Sequence, residues 1–152
     1  MKLDTIDKKL ITLLQKDSKQ TTKQLSLQLG LSVTAVYERI KKLEKEKVIT
    51  QYVALINKNK VGKSFLVFCH IKLEKHTKEY ISVFEREIEK LQEVTECFHV
   101  SGDYDYILKI YVKDMDEYRE FMVNKLTALK HIGSTHSIFT IGEVKNSNTI
   151  VL

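Results

Sequence analysis

The sequence predicts an α+β chain of two modules, a three-helix N-terminal module followed by a βαββαβ module. Three observations carry that prediction. Residues 1–56 hold apolar residues at helical spacing in three short blocks. From residue 64 onward the apolar period switches back and forth between about 3.6 and 2. The chain's excess positive charge is confined to the first third: residues 1–56 carry ten Lys and one Arg against six acids, whereas residues 57–152 carry fourteen bases and fourteen acids. A basic module ahead of a neutral one is the distribution expected where only the first faces a polyanion.

The 152 residues suffice for one ordinary domain or two small ones, and 43% apolar with 30% charged residues is a globular balance. The run Phe65–Cys69 is far short of the roughly 20 apolar residues that span a bilayer. Residues 1–15 alternate charge and hydrophobe, unlike a secretory signal, which points to the cytoplasm. Two cysteines, Cys69 and Cys97, are too few for a disulfide framework or a four-cysteine zinc site.

Asp4 can cap a helix over residues 4–16, whose stripe is Leu3, Ile6, Leu10, Leu13 and Leu14. Thr21 or Thr22 can cap a short second helix carrying Leu25, Leu27 and Leu29, and Gly30 ends it. Ser32 caps a third, to about Lys45, with Val33, Val36, Ile40 and Leu43 as its stripe. The β-branched stretch 48–56 is suited to a two-stranded ribbon. Helix, short helix, glycine turn, third helix and ribbon is the order of a winged helix-turn-helix. The polar stretch 57–63 reads as a linker, giving modules of 1–56 and 64–152.

In the second module, residues 65–73 read as a strand with Phe65, Val67, Cys69, Ile71 and Leu73 on one face. Residues 77–91 read as a helix with Tyr80, Phe84, Ile88 and Leu91 inward. Two strands, 94–101 and 104–112, flank the hairpin signal Gly102-Asp103. A helix over 114–129 and a strand over 132–143 complete a ferredoxin-like order with helices on one face of an antiparallel sheet. The other face, expected to include Phe68, Tyr106, Leu108 and Ile138, needs cover, and a sheet-against-sheet dimer supplies it.

This combination resembles the Lrp/AsnC family of transcriptional regulators over essentially the whole chain. The stretches that carry the resemblance are Leu3-Asp4, Asp7, Ile11 and Leu14; then Leu25, Leu29-Gly30-Leu31-Ser32, Val36, Arg39-Ile40, Leu43-Glu44 and Val48-Ile49; then Gly102-Asp103-Tyr104-Asp105-Tyr106 and residues 132–139. The family's usual Gly ahead of Val48 is Lys47 here, which leaves that turn open to a different shape. An Arg common after the first helix is missing, with Lys19 the nearest base, and a Thr usual in the last strand is Ser137. The last two departures weaken transfer of fine operator and ligand specificity.

The resemblance implies an ACT-like effector and oligomerisation domain, a homodimer assembling to an octamer, double-stranded operator DNA as partner and a free amino acid as effector. Paired recognition helices would meet half-sites about 34 Å apart on one face of the DNA. On DNA, Ser32, Val33, Thr34, Tyr37, Glu38 and Lys41 are the positions a recognition helix turns to the major groove. Lys42 joins Lys41 in a run suited to phosphates, and Arg39 is expected at a phosphate or in an ion pair with Glu44 or its neighbours. An amino acid zwitterion needs donors for its carboxylate and an acceptor for its ammonium. Gly102 admits backbone N–H groups, Tyr104 lies in the same hairpin, Asp103 or Asp105 can meet the ammonium, and Ser134, Thr135 and Ser137 can meet the carboxylate.

No Walker loop, nucleophile elbow or paired catalytic carboxylate is present, so no enzyme, cofactor or metal is expected. Two other readings belong to different classes: an architectural DNA-wrapping protein without effector, and a thiol- or metal-sensing regulator using Cys69, Cys97 and nearby His. Cys69-His70 points to opposite faces of a strand, and in the sheet order 4-1-3-2 the strands bearing the two cysteines are not neighbours.

Overall fold

Asp4 opens helix α1 (Thr5–Lys16) with a complete capping box: its carboxylate accepts from the Asp7 N–H at 2.7 Å, and Asp7 Oδ2 accepts from the Asp4 N–H. Thr21 and Gln24 build the same device at the start of α2 (Thr22–Leu29). Gly30, at φ +66°, ends α2 in the left-handed conformation that glycine adopts without penalty. Ser32 then caps α3 (Val33–Lys45) by accepting from the Ala35 N–H at 3.1 Å. Leu10, Leu14, Leu25, Val36 and Leu43 form the core of the three helices. Leu27 departs from its expected place: two residues beyond Leu25 it points away from the core and is 76% exposed.

The end of α3 answers the question posed by Lys47. The Val48 N–H bonds the Leu43 carbonyl at 2.9 Å and the Lys47 N–H bonds the Glu44 carbonyl at 3.1 Å, the two bonds of a Schellman motif. That motif needs a left-handed residue, and Lys47 supplies it at φ +58°. The turn therefore keeps a glycine's shape with a lysine in it. The ribbon expected over 48–56 is not formed; the segment has no strand and leaves Tyr52, Val53, Leu55 and Ile56 exposed. Its β-branched residues favour extended backbone, but the segment holds no Gly, Asn, Asp or Pro to favour a tight hairpin turn.

The structure is a computed structural model describing residues 2–152, and its contacts form two units: residues up to Leu55 together with Val144–Leu152, and Ile56–Glu143. The tail joins the first unit through Gln15, whose side-chain amide bonds both backbone groups of Ile150, at 3.0 and 2.7 Å.

The second unit contains β1 (Phe65–Leu73), α4 (Lys78–Ile88), β2 (Val94–His99), β3 (Tyr106–Val112), α5 (Met115–Phe121) and β4 (Ile132–Phe139). The four strands are antiparallel in the order β2-β3-β1-β4, so Cys69 on β1 and Cys97 on β2 are separated by β3, both in register with Leu108. Val67, Cys69, Ile71, Leu73, Phe84, Ile88, Tyr118, Phe121 and Leu126 share one core between sheet and helices. Tyr106 and Leu108 belong to that core, at 1% and 0% exposure, rather than to the open face. On β3 it is Ile107, Lys109 and Tyr111 that face away from the helices, beside Phe68, His70 and Ile138.

The strands β2, β3 and β4 and the helix α5 are shorter than their apolar patterns predict. β2 stops at His99 and β3 starts at Tyr106; beyond these ends the Val100 N–H still donates to the Asp105 carbonyl at 2.8 Å, while the Asp105 N–H donates to the Ile71 carbonyl of β1, also at 2.8 Å. The α5 helix gives way to a π-helical turn, Met122–Leu126, where the Thr127 hydroxyl and N–H both donate to the Met122 carbonyl. β4 ends at Phe139, since β1, its only neighbour, begins at Phe65 and its last ladder pair is Val67 with Phe139. Among the described residues no helix is long and apolar enough to cross a membrane.

Candidate nucleic-acid interface and effector site

Helix α3 buries Val36 and Leu43 and presents the opposite face to solvent. Ser32, Val33, Thr34, Tyr37, Glu38, Lys41 and Lys42 are all exposed, Tyr37 at 49%. The structure thus brings these seven to one surface. Ser32 has one duty there already, since its oxygen caps the helix, but its O–H remains available as a donor. Lys41 lies 5.7 Å from the Tyr37 ring centre and 2.9 Å from Glu44. Its ammonium is held above the ordinary lysine range by Glu44, and the Glu44 carboxyl is held low by Lys41, with the Tyr52 hydroxyl also donating to it.

Arg39 departs from the surface set. It pairs neither with Glu44 nor with its neighbours: Nη1 lies 2.6 Å from Asp7 Oδ1 and 2.8 Å from Asp4 Oδ2. The Asp7 backbone N–H and then Arg39 hold the Asp4 carboxyl below the usual range. Arg39 is a positioning residue that fixes α3 against α1. Its partners were legible only as helix-capping acids, because nothing in the spacing of residues 4, 7 and 39 reports their meeting.

The hairpin between β2 and β3 carries the second site. Gly102 sits at φ +126°, a conformation closed to side-chain-bearing residues. Asp103 is exposed and makes no hydrogen bond or ion pair among the described residues. Asp105 is committed: one oxygen accepts from the Leu73 N–H at 2.7 Å and the other lies 2.8 Å from His76 Nε2. Burial raises its pKa, but the Leu73 N–H and His76 outweigh that and hold it low. Tyr104 packs its ring on His70, at 4.8 Å between centres, and near His136 at 6.1 Å.

The last strand divides its three candidates. Ser134 is exposed opposite Lys72, on the face that carries His70 and His136, while Thr135 and Ser137 alternate to the helix side opposite Ile71 and Cys69. Ser137 Oγ lies 2.6 Å from the Tyr118 hydroxyl, whose pKa is raised by burial. Gly133 precedes the three candidates in a tight spot: a Cβ there would stand 3.3 Å from the Leu73 and Glu74 backbone. Among the described residues no group of three or more His, Cys, Asp or Glu is placed to hold a metal ion.

Two family models match the chain: a winged helix-turn-helix DNA-binding model over residues 3–50 and the Lrp/AsnC ligand-binding domain over residues 66–150. The leucine-responsive regulatory protein of Escherichia coli strain K12 is 38% identical over 150 residues, 99% of this chain and 92% of that protein. An AsnC-family transcriptional regulator from Agrobacterium tumefaciens superposes with a TM-score of 0.93 at 32% identity, covering 97% of this chain and 96% of that one. A transcriptional regulator from Neisseria meningitidis, solved as a complex with L-Met, gives 0.93 at 27% identity, covering 98% and 96%. With both modules matched in order and along nearly its full length, the chain belongs to the Lrp/AsnC family of DNA-binding transcriptional regulators.

Proposed function

We propose that the protein is a sequence-specific regulator whose DNA affinity or oligomeric state responds to an amino acid. The observation that carries this reading is the exposed face of α3: Ser32, Val33, Thr34, Tyr37, Glu38, Lys41 and Lys42 lie together, supported from behind by Arg39. Hydroxyl and carboxylate groups there can read base edges, and the lysines supply sequence-independent attraction to phosphate. The effector reading draws on Gly102, Asp103, Tyr104 and Ser134, which lie outside the internal bonding that engages Asp105 and Ser137. The neighbour solved with L-Met supports an amino acid as the ligand class. The protein acts in the cytoplasm as a dimer, formed across the sheet face of Phe68, Ile107 and Ile138, and dimers assemble to an octamer.

Calorimetric titration with the twenty amino acids, paired with mass in solution, tests the effector. One or a few should bind and change the assembly. Their affinity should differ with operator DNA present, because a coupling of about 1–3 kcal/mol acts reciprocally. Equal affinity with and without DNA would refute the coupling. Lys42→Ala should weaken operator and random DNA alike and reduce the salt slope by about one phosphate contact. Equal affinity for operator and random DNA at physiological salt would favour an architectural role.

A further inference from the structure

The chain passes between its two units twice, after Leu55 and again after Glu143. Residues beside these two passages meet on one side chain. Tyr111, half-buried on β3, accepts a hydrogen bond from the Lys58 ammonium and donates its hydroxyl to Glu143 Oε2 at 3.3 Å. Lys58 Nζ lies 3.6 Å from the same carboxylate and 4.1 Å from the centre of the Tyr111 ring, a cation–π contact. One phenol thus sits between a cation of the incoming segment and an anion of the outgoing one.

The anchor stands on stiff ground. β3 is bonded on both sides, by β2 and by β1, and Tyr111 pairs there with Leu66. The incoming segment is itself folded. The Lys60 N–H bonds the Asn57 carbonyl at 3.0 Å, the Lys63 N–H bonds the Lys58 carbonyl at 2.9 Å, and Gly62 takes the left-handed conformation at φ +67°. Lys63 then pairs with Glu117 of α5. Residues 57–63 are therefore a short strap within the second unit, held to the sheet at Lys58 and to a helix at Lys63. An isolated pair as exposed as Lys58 and Glu143, at 33% and 37%, would hold little. Here the Tyr111 hydroxyl and ring join the pair into a network, which gives both segments a common point of attachment.

Given the proposed paired binding to operator DNA, we infer that Tyr111 is a positioning residue for that binding. Through Lys58 and Glu143 it fixes both passages to one point of β3, and so sets which half-site spacing the paired DNA-binding units accept.

Trypsin digestion of the full chain reads the clamp by itself. Cleavage after Lys60 and Lys63 should quicken by about fivefold or more in Tyr111→Phe and in Lys58→Met, because a segment with few contacts opens more readily when one is lost. DNA binding reads the use of the clamp. The duplex that the parent selects most strongly from a random pool is resynthesised with about five base pairs, half a helical turn, inserted at its centre. The parent should bind the lengthened duplex about tenfold more weakly, whereas each variant, at the parent's mass in solution, should bind the two within about threefold. Unchanged digestion of both variants would overturn the clamp. Faster digestion with the parent's full spacing preference would overturn its role in DNA binding. A parent indifferent to spacing would refute the paired binding itself, whatever the digestion shows, and the role of Tyr111 would fall with it.

Discussion

Arg39 Nη1 lies 2.6 Å from Asp7 Oδ1, and through this pair the exposed helix α3 is fastened to the first turn of α1. The same nitrogen reaches Asp4, so one guanidinium engages both members of a capping box. Removing it leaves Asp7, 7% exposed at its side chain, without its cation. Arg39→Ala is expected to lower stability by about 1–3 kcal/mol. Arg39→Lys should recover part of this, because it restores the positive charge opposite Asp4 and Asp7 on a shorter, differently shaped side chain. Thermal denaturation of both variants checks this, and operator affinity should fall with the loss of α3 positioning.

Acid should loosen both units. Asp4, Glu44 and Asp105 all have pKa values held below their ordinary ones in the folded chain. Such groups contribute stability above their unfolded pKa, and it is lost as pH falls through the folded value. The unfolding temperature should therefore be flat from pH 7 to about 5 and fall below about 4. The Arg39→Ala profile should be shallower, since Asp4 no longer has that cation to lose.

Lys47 holds a left-handed conformation that costs a side-chain-bearing residue about 1–2 kcal/mol. Lys47→Gly relieves that cost but raises the entropy of the unfolded chain, which offsets part of the gain. A net gain of up to about 1 kcal/mol is expected from denaturant unfolding. A loss would mean that the lysine side chain contributes elsewhere.

Both thiols are poor nucleophiles in the folded state. Burial raises the pKa of Cys69, and burial with Glu85 raises that of Cys97 to about 11. Neither should react readily with iodoacetamide at pH 7, and both should react in denaturant. Replacing both with Ser should leave DNA binding unchanged; a lost or redox-dependent response would instead support thiol sensing.

Ser137 and Tyr118 share a bond in the core, so Ser137→Ala strands a buried hydroxyl and should cost about 1–3 kcal/mol. Ser137→Thr keeps the oxygen and should cost less. Combining Ser137→Ala with Tyr118→Phe should cost less than the sum of the two, as a double-mutant cycle would reveal.

Local signals were the most legible ones. Asp4, Thr21, Ser32 and Gly30 mark helix ends because caps act within three or four residues, and all four act where the sequence places them. The alternation of β1 revealed its buried face for the same reason. Non-local bonds were hidden. Asp105 bonds Ile71 of β1 from 34 positions away, and the meeting of Arg39 with Asp7 spans 32 positions. The exposed surface of α3 was readable as the complement of a buried stripe. The last strand's candidates were named together, although alternation sends Ser134 to one side and Ser137 to the other.

Gln15 grips Ile150 across 135 positions. During synthesis, the N-terminal helices can form early, but their unit gains this segment only after residues 56–143 have been made. Docking it closes a long loop, whose entropy cost grows only slowly with length. Removing residues 144–152 would therefore strip contacts from the unit that holds α3.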